Sequence, residues 1–254
     1  ALCAAGKKVG VAQNANVYAL KVFWVKRVGA GEYGKSYFVP DAYLEAIDAV
    51  IEHTLTKTNN NPSIMNVSIG KTVSGGVPVD LKGDDVVLND AMKKATTFGV
   101  HVVSSAGNGR TYQADGNVDG ERWVFRSGTP TSLLKGQIEL NLEDIHEDID
   151  DGQGLLISVG ATNNKQKTMQ KANFSNYHMG TTIYAPGSNV VIRNWRWGGR
   201  DRNGDRDASS IINYINGTSF SGPIVAGLLA QHLSTKNKSV KDAKQQLIKT
   251  AVKN

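Results

Sequence analysis

Ser219 stands in the run Asn216-Gly217-Thr218-Ser219-Phe220-Ser221-Gly222-Pro223, which leads into Ile224-Val225-Ala226-Gly227-Leu228-Leu229-Ala230. The second run is apolar and rich in small residues, as a buried helix would be. A turn entering such a helix sets the serine hydroxyl at the helix N-terminus, where free backbone N–H groups favour negative charge. That position suits a nucleophile whose attack on a carbonyl creates an oxyanion beside it. A plain Thr/Ser helix cap accounts for the triplet Gly217-Thr218-Ser219 equally well.

A second run, His101-Val102-Val103-Ser104-Ser105-Ala106-Gly107-Asn108-Gly109, has the apolar character of a strand and closes on an Asn between glycines. An Asn amide at a strand end can donate a hydrogen bond into a cleft, whereas inside the strand it would be buried at a cost. Asn-Gly after a strand is also an ordinary turn signal.

Taken together and in this order, the two runs resemble the subtilisin-like serine peptidases, the subtilases. The segment around Ser219 matches the family's Asn-Gly-Thr-Ser-x-x-x-Pro, and Ser105-Ala106-Gly107-Asn108 resembles its oxyanion-hole segment. Gly154 to Ala161 resembles a central strand of the family, and Phe174-Ser175-Asn176 and Tyr184-Ala185-Pro186-Gly187 resemble two further signatures. Met65-Asn66-Val67-Ser68-Ile69-Gly70, Val9-Gly10-Val11-Ala12 and Val17-Tyr18-Ala19-Leu20-Lys21-Val22 extend the likeness over nearly the whole chain. The resemblance implies a serine endopeptidase acting on peptide or protein substrates, with Ser219 as nucleophile and Asn108 as oxyanion donor. It further implies that Ser68, Ile69, Gly70, Ser105, Ala106 and Gly107 line the groove for the substrate side chain before the scissile bond. An extracellular or secreted setting is the family expectation.

In subtilisin order the catalytic triad runs Asp, His, Ser. Ala1-Leu2-Cys3-Ala4-Ala5-Gly6 resembles the small-residue helix that follows the family's His-Gly-Thr. The resemblance therefore implies that the Asp and His lie upstream of Ala1, in an N-terminal segment or a companion chain. None of the five histidines, His53, His101, His146, His178 and His232, matches the family's catalytic His by motif. A non-catalytic, subtilase-like scaffold or peptide-binding protein is the alternative. The missing His and Asp speak for it, and the intact Ser219 and Asn108 speak against it. If the upstream segment supplies strands to the same sheet, residues 1–254 alone should aggregate or fold poorly.

The elements that must position these residues follow from periodicity. Val17 to Trp24 predicts a buried strand, with a Gly-rich turn near Gly29 to Gly34. Pro40-Asp41 opens a helix whose apolar positions Leu44, Ile47, Val50 and Ile51 recur at helical spacing. Ser63 to Ile69 predicts a strand. Asp84 to Thr97 predicts a helix with Val87, Leu88, Met92 and Ala95 on one face, ended by Gly99, and Val100 to Ser104 predicts the next strand. Alternation of this kind argues for a three-layer αβα fold around a mostly parallel central sheet, one domain spanning 1–254. Sites in such sheets form at the carboxyl ends of the strands, where Ser68-Ile69-Gly70 and Ser105-Ala106-Gly107 stand.

Composition fits a soluble globular domain. Lys and Arg number 29 against 23 Asp and Glu, a net charge of +6 that is modest for the length and does not call for nucleic acid. Cys3 is the only cysteine, so no internal disulfide can form. No apolar run approaches the ~18 residues of a membrane span.

An insertion at about 110–153 departs from the family pattern and is long enough to carry its own hairpin or to cover the cleft. Its acidic run from Glu143 to Asp151 is expected to be a solvated charged face. Asp201-Arg202-Asn203-Gly204-Asp205-Arg206-Asp207 loosely resembles a calcium loop. It lacks the sixth-position glycine and the twelfth-position carboxylate, so a polar hairpin tip is expected instead. Neither a metal nor another cofactor is expected. Matches to the glycosylation pattern at Asn66, Asn173, Asn216 and Asn237 carry no conclusion about the compartment.

Overall fold

The computed structural model describes residues 1–27, 33–68, 71–73, 84–108, 122–124, 155–163, 170–175, 181–194, 211–236 and 238–251. Its centre is a four-stranded, all-parallel sheet in the order β3-β5-β7-β8. These strands are β3 (Ser63–Val67), β5 (Val100–Ser105), β7 (Ile157–Thr162) and β8 (Ile183–Pro186). β5 and β7 are buried along their whole length, as strands covered on both faces must be.

The faces follow the strand period of two. Val100 and Val102 point into a cluster with Tyr43, Ile47 and Ile51 of α2 (Pro40–Thr56) and Met92 and Ala95 of α3 (Asp84–Thr97). Val103 of β5 and Ile157 and Val159 of β7 point into a second cluster with Val225, Ala226, Leu229 and Leu233 of α4 (Thr218–Thr235) and Ala243 of α5 (Val240–Thr250). Helices on both faces of a parallel sheet give the three layers.

α2 begins where the sequence places it, with Pro40 in its first turn after extended Val39 and Asp41 beside the positive end of the helix. α3 ends at Gly99, whose φ of 81° lets the chain turn straight into β5. Val87 departs from the expected core face of α3. It is 49% exposed, because it lies about 140° and 80° round the helix from Met92 and Ala95, the buried residues of that face.

A larger difference concerns Val17 to Trp24. The strand there begins only at Phe23, and β1 (Phe23–Arg27) pairs antiparallel with β2 (Tyr33–Phe38) in a two-stranded ribbon outside the parallel sheet. Val22 is buried in the α2/α3 cluster, but Val17, Tyr18 and Leu20 are 52%, 71% and 48% exposed. The residues are strand-like, yet among the described residues no ladder covers them.

Two further ribbons stand among the described residues. β9 (Val190–Asn194) pairs antiparallel with β10 (Ile211–Ile215), and the Asp201–Asp207 run lies outside the described residues. β4 (Lys71–Val73) pairs with β6 (Arg122–Val124), which comes from the insertion expected at 110–153. The insertion's described strand thus pairs with the chain that follows Ser68. The short helix α1 (Leu2–Ala5) packs against α4.

Candidate active site

The carboxyl end of β5 and the N-terminus of α4 meet through a junction of three residues. After Ser105, Ala106 continues the ladder by donating its N–H to Val159 O at 2.9 Å. Gly107 then takes φ 95°, a turn open to glycine, and its N–H donates to Thr218 Oγ1 at 3.2 Å. Asn108 Oδ1 accepts from both Thr218 N, at 2.8 Å, and Thr218 Oγ1, at 2.9 Å. Thr218 is fully buried, and its hydroxyl receives one bond and gives its single proton to the other.

The consequence lies in the other half of the amide. With Oδ1 held by a backbone N–H that can only donate, Nδ2 must point away from Thr218. It has no acceptor among the described residues and stands 3.6 Å from where a Cβ on Gly217 would be. Asn108 is partly exposed. A donor without a partner beside a serine turn is the arrangement an oxyanion hole requires.

The turn that carries Ser219 is held to the end of β8. Gly217 N donates to Gly187 O at 2.8 Å, and Asn189 N donates to Asn216 Oδ1 at 2.7 Å. Ser221 Oγ donates to Pro186 O at 3.3 Å. Ser219 is the second residue of α4 and is partly exposed, and its Oγ has no partner among the described residues. Its backbone N–H belongs to the first turn, whose donors lack intrahelical acceptors.

The groove residues are disposed unequally. Ser68 is partly exposed and bonds to Ser219 through its hydroxyl. Ser105, Ala106 and Gly107 are buried behind the junction. Ile69 and Gly70 lie outside the described residues.

None of the described histidines reaches Ser219. His53 lies on α2 against the Tyr18 ring, with centroids 5.3 Å apart. His101 is buried near the opposite end of β5 from Asn108, and its Nδ1 has no partner. Burial, with the nearby Lys57 charge, pushes its pKa down to about 4. His232 lies roughly 20 Å from Ser219 along α4 at 1.5 Å per residue. His146 and His178 fall outside the described residues.

Among the described residues, no group of three or more His, Cys, Asp or Glu is placed to hold a metal ion. The acidic run from Glu143 to Asp151 is not among them. Cys3 is a free thiol, half-buried in α1, and burial raises its pKa. No helix of the described residues is long and apolar enough to cross a membrane.

Thr218 and Asn66 are the members of the site that sequence reasoning passed over. Both stand inside the motifs that located Ser219 and Ser68. Thr218 acts through hydrogen bonds to Asn108, a segment about a hundred residues away, which local spacing does not carry; Asn66 acts through Ser68, its neighbour two residues on.

The sequence model of the subtilase family, peptidase family S8, matches residues 1–254. The subtilisin-like serine protease Pen ch 18 of Penicillium rubens is 28% identical over 230 residues, covering 91% of this chain and 34% of that protein. The subtilisin-like serine protease pepC of Aspergillus niger is also 28% identical over 230 residues, covering 91% of this chain and 32% of that protein. The chain thus spans about a third of the length of the curated relatives it matches. A crystal structure of a cold-adapted subtilisin-like serine proteinase superposes with a TM-score of 0.59 at 20% identity, over 99% of this chain and 66% of that one. That likeness shows the three-layer fold.

Proposed function

Since the chain belongs to the subtilase family, we propose that it is the nucleophile-bearing part of a serine endopeptidase. The observation that carries this reading is the Asn108–Thr218 junction, which turns a free amide donor toward the start of the helix bearing Ser219. A scaffold that only held peptides would need neither the donor nor the hydroxyl.

In the proposed reaction Ser219 Oγ attacks the substrate carbonyl carbon, and the C=O π pair moves onto oxygen. Asn108 Nδ2 and the Ser219 N–H donate to that oxygen. A His–Asp pair, supplied by a segment preceding Ala1 or by a companion chain, takes the Oγ proton. It returns the proton to the leaving amine as the C–N bond breaks, and water then hydrolyses the acyl-enzyme by the same route. The extended substrate lies against the carboxyl ends of β3 and β5, with Ser68, Ile69, Gly70, Ser105, Ala106 and Gly107 as its proposed surroundings. Action outside the cell belongs to the same proposal and rests on the resemblance to subtilases.

A fluorophosphonate probe tests this reading on the protein that carries residues 1–254 together with its preceding segment. Labelling is expected at Ser219, and Ser219→Ala is expected to abolish both labelling and peptide cleavage. Labelling that persists in Ser219→Ala would remove Ser219 as nucleophile. A folded protein that takes up no label but still binds peptides would favour the scaffold.

A further inference from the structure

We propose that Ser68 is a positioning residue for the nucleophile: its hydroxyl holds the Ser219 carbonyl oxygen that Pro223 leaves without an intrahelical partner. The proposal rests on Ser219 being the nucleophile.

In an α-helix the carbonyl of residue 219 accepts from the N–H of residue 223. Residue 223 is a proline inside α4 and has no N–H to give. The carbonyl deprived of its donor is therefore that of Ser219 itself, in the first turn of the helix. Ser68 Oγ lies 3.5 Å from that oxygen, and Asn66 Nδ2 donates to Ser68 Oγ at 3.3 Å. A hydroxyl has one proton. Because Asn66 supplies a donor to the Ser68 oxygen, the Ser68 proton is free to turn toward Ser219.

Strand register explains how these groups meet. Asn66 and Ser68 are two residues apart, so they share a face, and it is the face on which Ile64 packs against the α4 cluster. The fit also needs Gly222. A Cβ there would come within 3.1 Å of Asn66 Oδ1 and 3.7 Å of Ser68 Oγ, crowding the pair away from the helix. Gly222 clears the space, Pro223 frees the carbonyl, and the Asn66–Ser68 pair fills the vacancy. Holding the Ser219 carbonyl fixes the Ser219–Phe220 peptide plane, and with it the direction of the Ser219 Cα–Cβ bond.

The 3.5 Å separation is long for O–H···O, so the contact is a weak one that shortening during catalysis would strengthen. Its signature is coupling to Pro223. An alanine at 223 is well tolerated by a helix and restores an N–H to the Ser219 carbonyl, making the Ser68 hydroxyl redundant.

The test compares wild type, Ser68→Ala, Pro223→Ala and the double variant in the protein with its preceding segment. It reads kcat and KM on a peptide substrate and the rate of fluorophosphonate labelling. Ser68→Ala is expected to lower kcat and labelling by about two- to ten-fold, the range of one net hydrogen bond, with KM little changed. Ser68→Thr, which keeps the hydroxyl, should retain most of the rate. In the Pro223→Ala background the Ser68→Ala loss should disappear. An equal loss in both backgrounds, or a change confined to KM, would overturn the proposal and make Ser68 a groove residue only. Urea midpoints of the same four proteins read the contact without catalysis. If wild type takes no label at Ser219, the endopeptidase reading fails and the positioning role with it. The midpoints then decide separately whether the contact exists, since equal shifts with and without Pro223 exclude it.

Discussion

At the scale of single residues, the two ends of the Asn108 side chain differ in what holds them. Oδ1 is taken by Thr218, and Nδ2, without an acceptor among the described residues, is the proposed donor to charge that develops only during reaction. Asn108→Ala should therefore leave substrate binding almost unchanged and reduce kcat. The expected loss is the ~10²–10³ measured for the corresponding donor of subtilisin itself. Asn108→Asp should be at least as damaging. It keeps the acceptor for Thr218 but replaces the free donor with negative charge facing the oxyanion. Steady-state kinetics decide the matter, and an alanine variant altered mainly in KM would assign Asn108 to ground-state binding.

His101 gives a second residue-scale expectation, unconnected with catalysis. Its pKa falls from the ordinary 6.5 to about 4 in the fold, because the buried imidazole is kept neutral beside the Lys57 charge. The unfolded chain therefore binds the proton first as pH falls. Stability from this residue is fully present above about 6.5, declines as pH drops toward 4, and levels off below. The total is of order 3 kcal/mol. Urea unfolding across that window should show the slope in wild type and a flatter profile in His101→Leu. Equal slopes would place the responsible groups elsewhere.

Among the elements, those with a complete local signal are legible in the sequence. α2 has Pro40 at its start and Ile47 and Ile51 of its expected apolar face buried, with Tyr43 in place of the half-buried Leu44 and Val50, and α3 has the Gly99 stop. β5 and β7 are short apolar runs bounded by turns. Ser219 and Asn108 are legible too, because each sits at an element boundary that its own neighbours announce. Val17 to Trp24 failed for the opposite reason: an apolar run reports the wish to be buried, but strand pairing depends on a partner that the run does not contain. The tie of Thr218 to Asn108 is equally non-local. α4 is another non-local case, since its burial against both the sheet and α1 fixes residues that periodicity leaves free. A Cβ on Gly227 would stand 2.7 Å from Ala4 O and 2.8 Å from Val11 Cβ. In an exposed helix Gly→Ala stabilises by about 0.5–1 kcal/mol. Here Gly227→Ala should instead destabilise by about 1–3 kcal/mol, the scale of overpacking, and increase hydrogen exchange in residues 2–12. Unchanged or raised stability would mean that α1 is not held closely against α4.

For the whole molecule, the decisive feature is surface that the described fold leaves uncovered. Val17, Tyr18 and Leu20 form an exposed apolar segment with no ladder among the described residues, and Val9 adds to it at 65% exposure. β3 is at one edge of the parallel sheet, paired only with β5 among the described residues. Among the described residues its outer edge therefore offers unpaired N–H and C=O groups, a template for another strand. Apolar surface and an open edge invite either self-association or a specific covering segment. The proposed segment with the catalytic Asp and His would meet both needs, since one added strand could satisfy the edge while bringing a base to Ser219. Residues 1–254 produced alone are accordingly expected to self-associate, with fast amide exchange in β3 and in 17–22. Adding the preceding segment, even as a separate chain, should give a compact particle in which both become protected. Size-exclusion chromatography with hydrogen exchange reads the two states. A monodisperse monomer with β3 already protected would show that the edge needs no partner, and the peptide-binding scaffold would then become the stronger account.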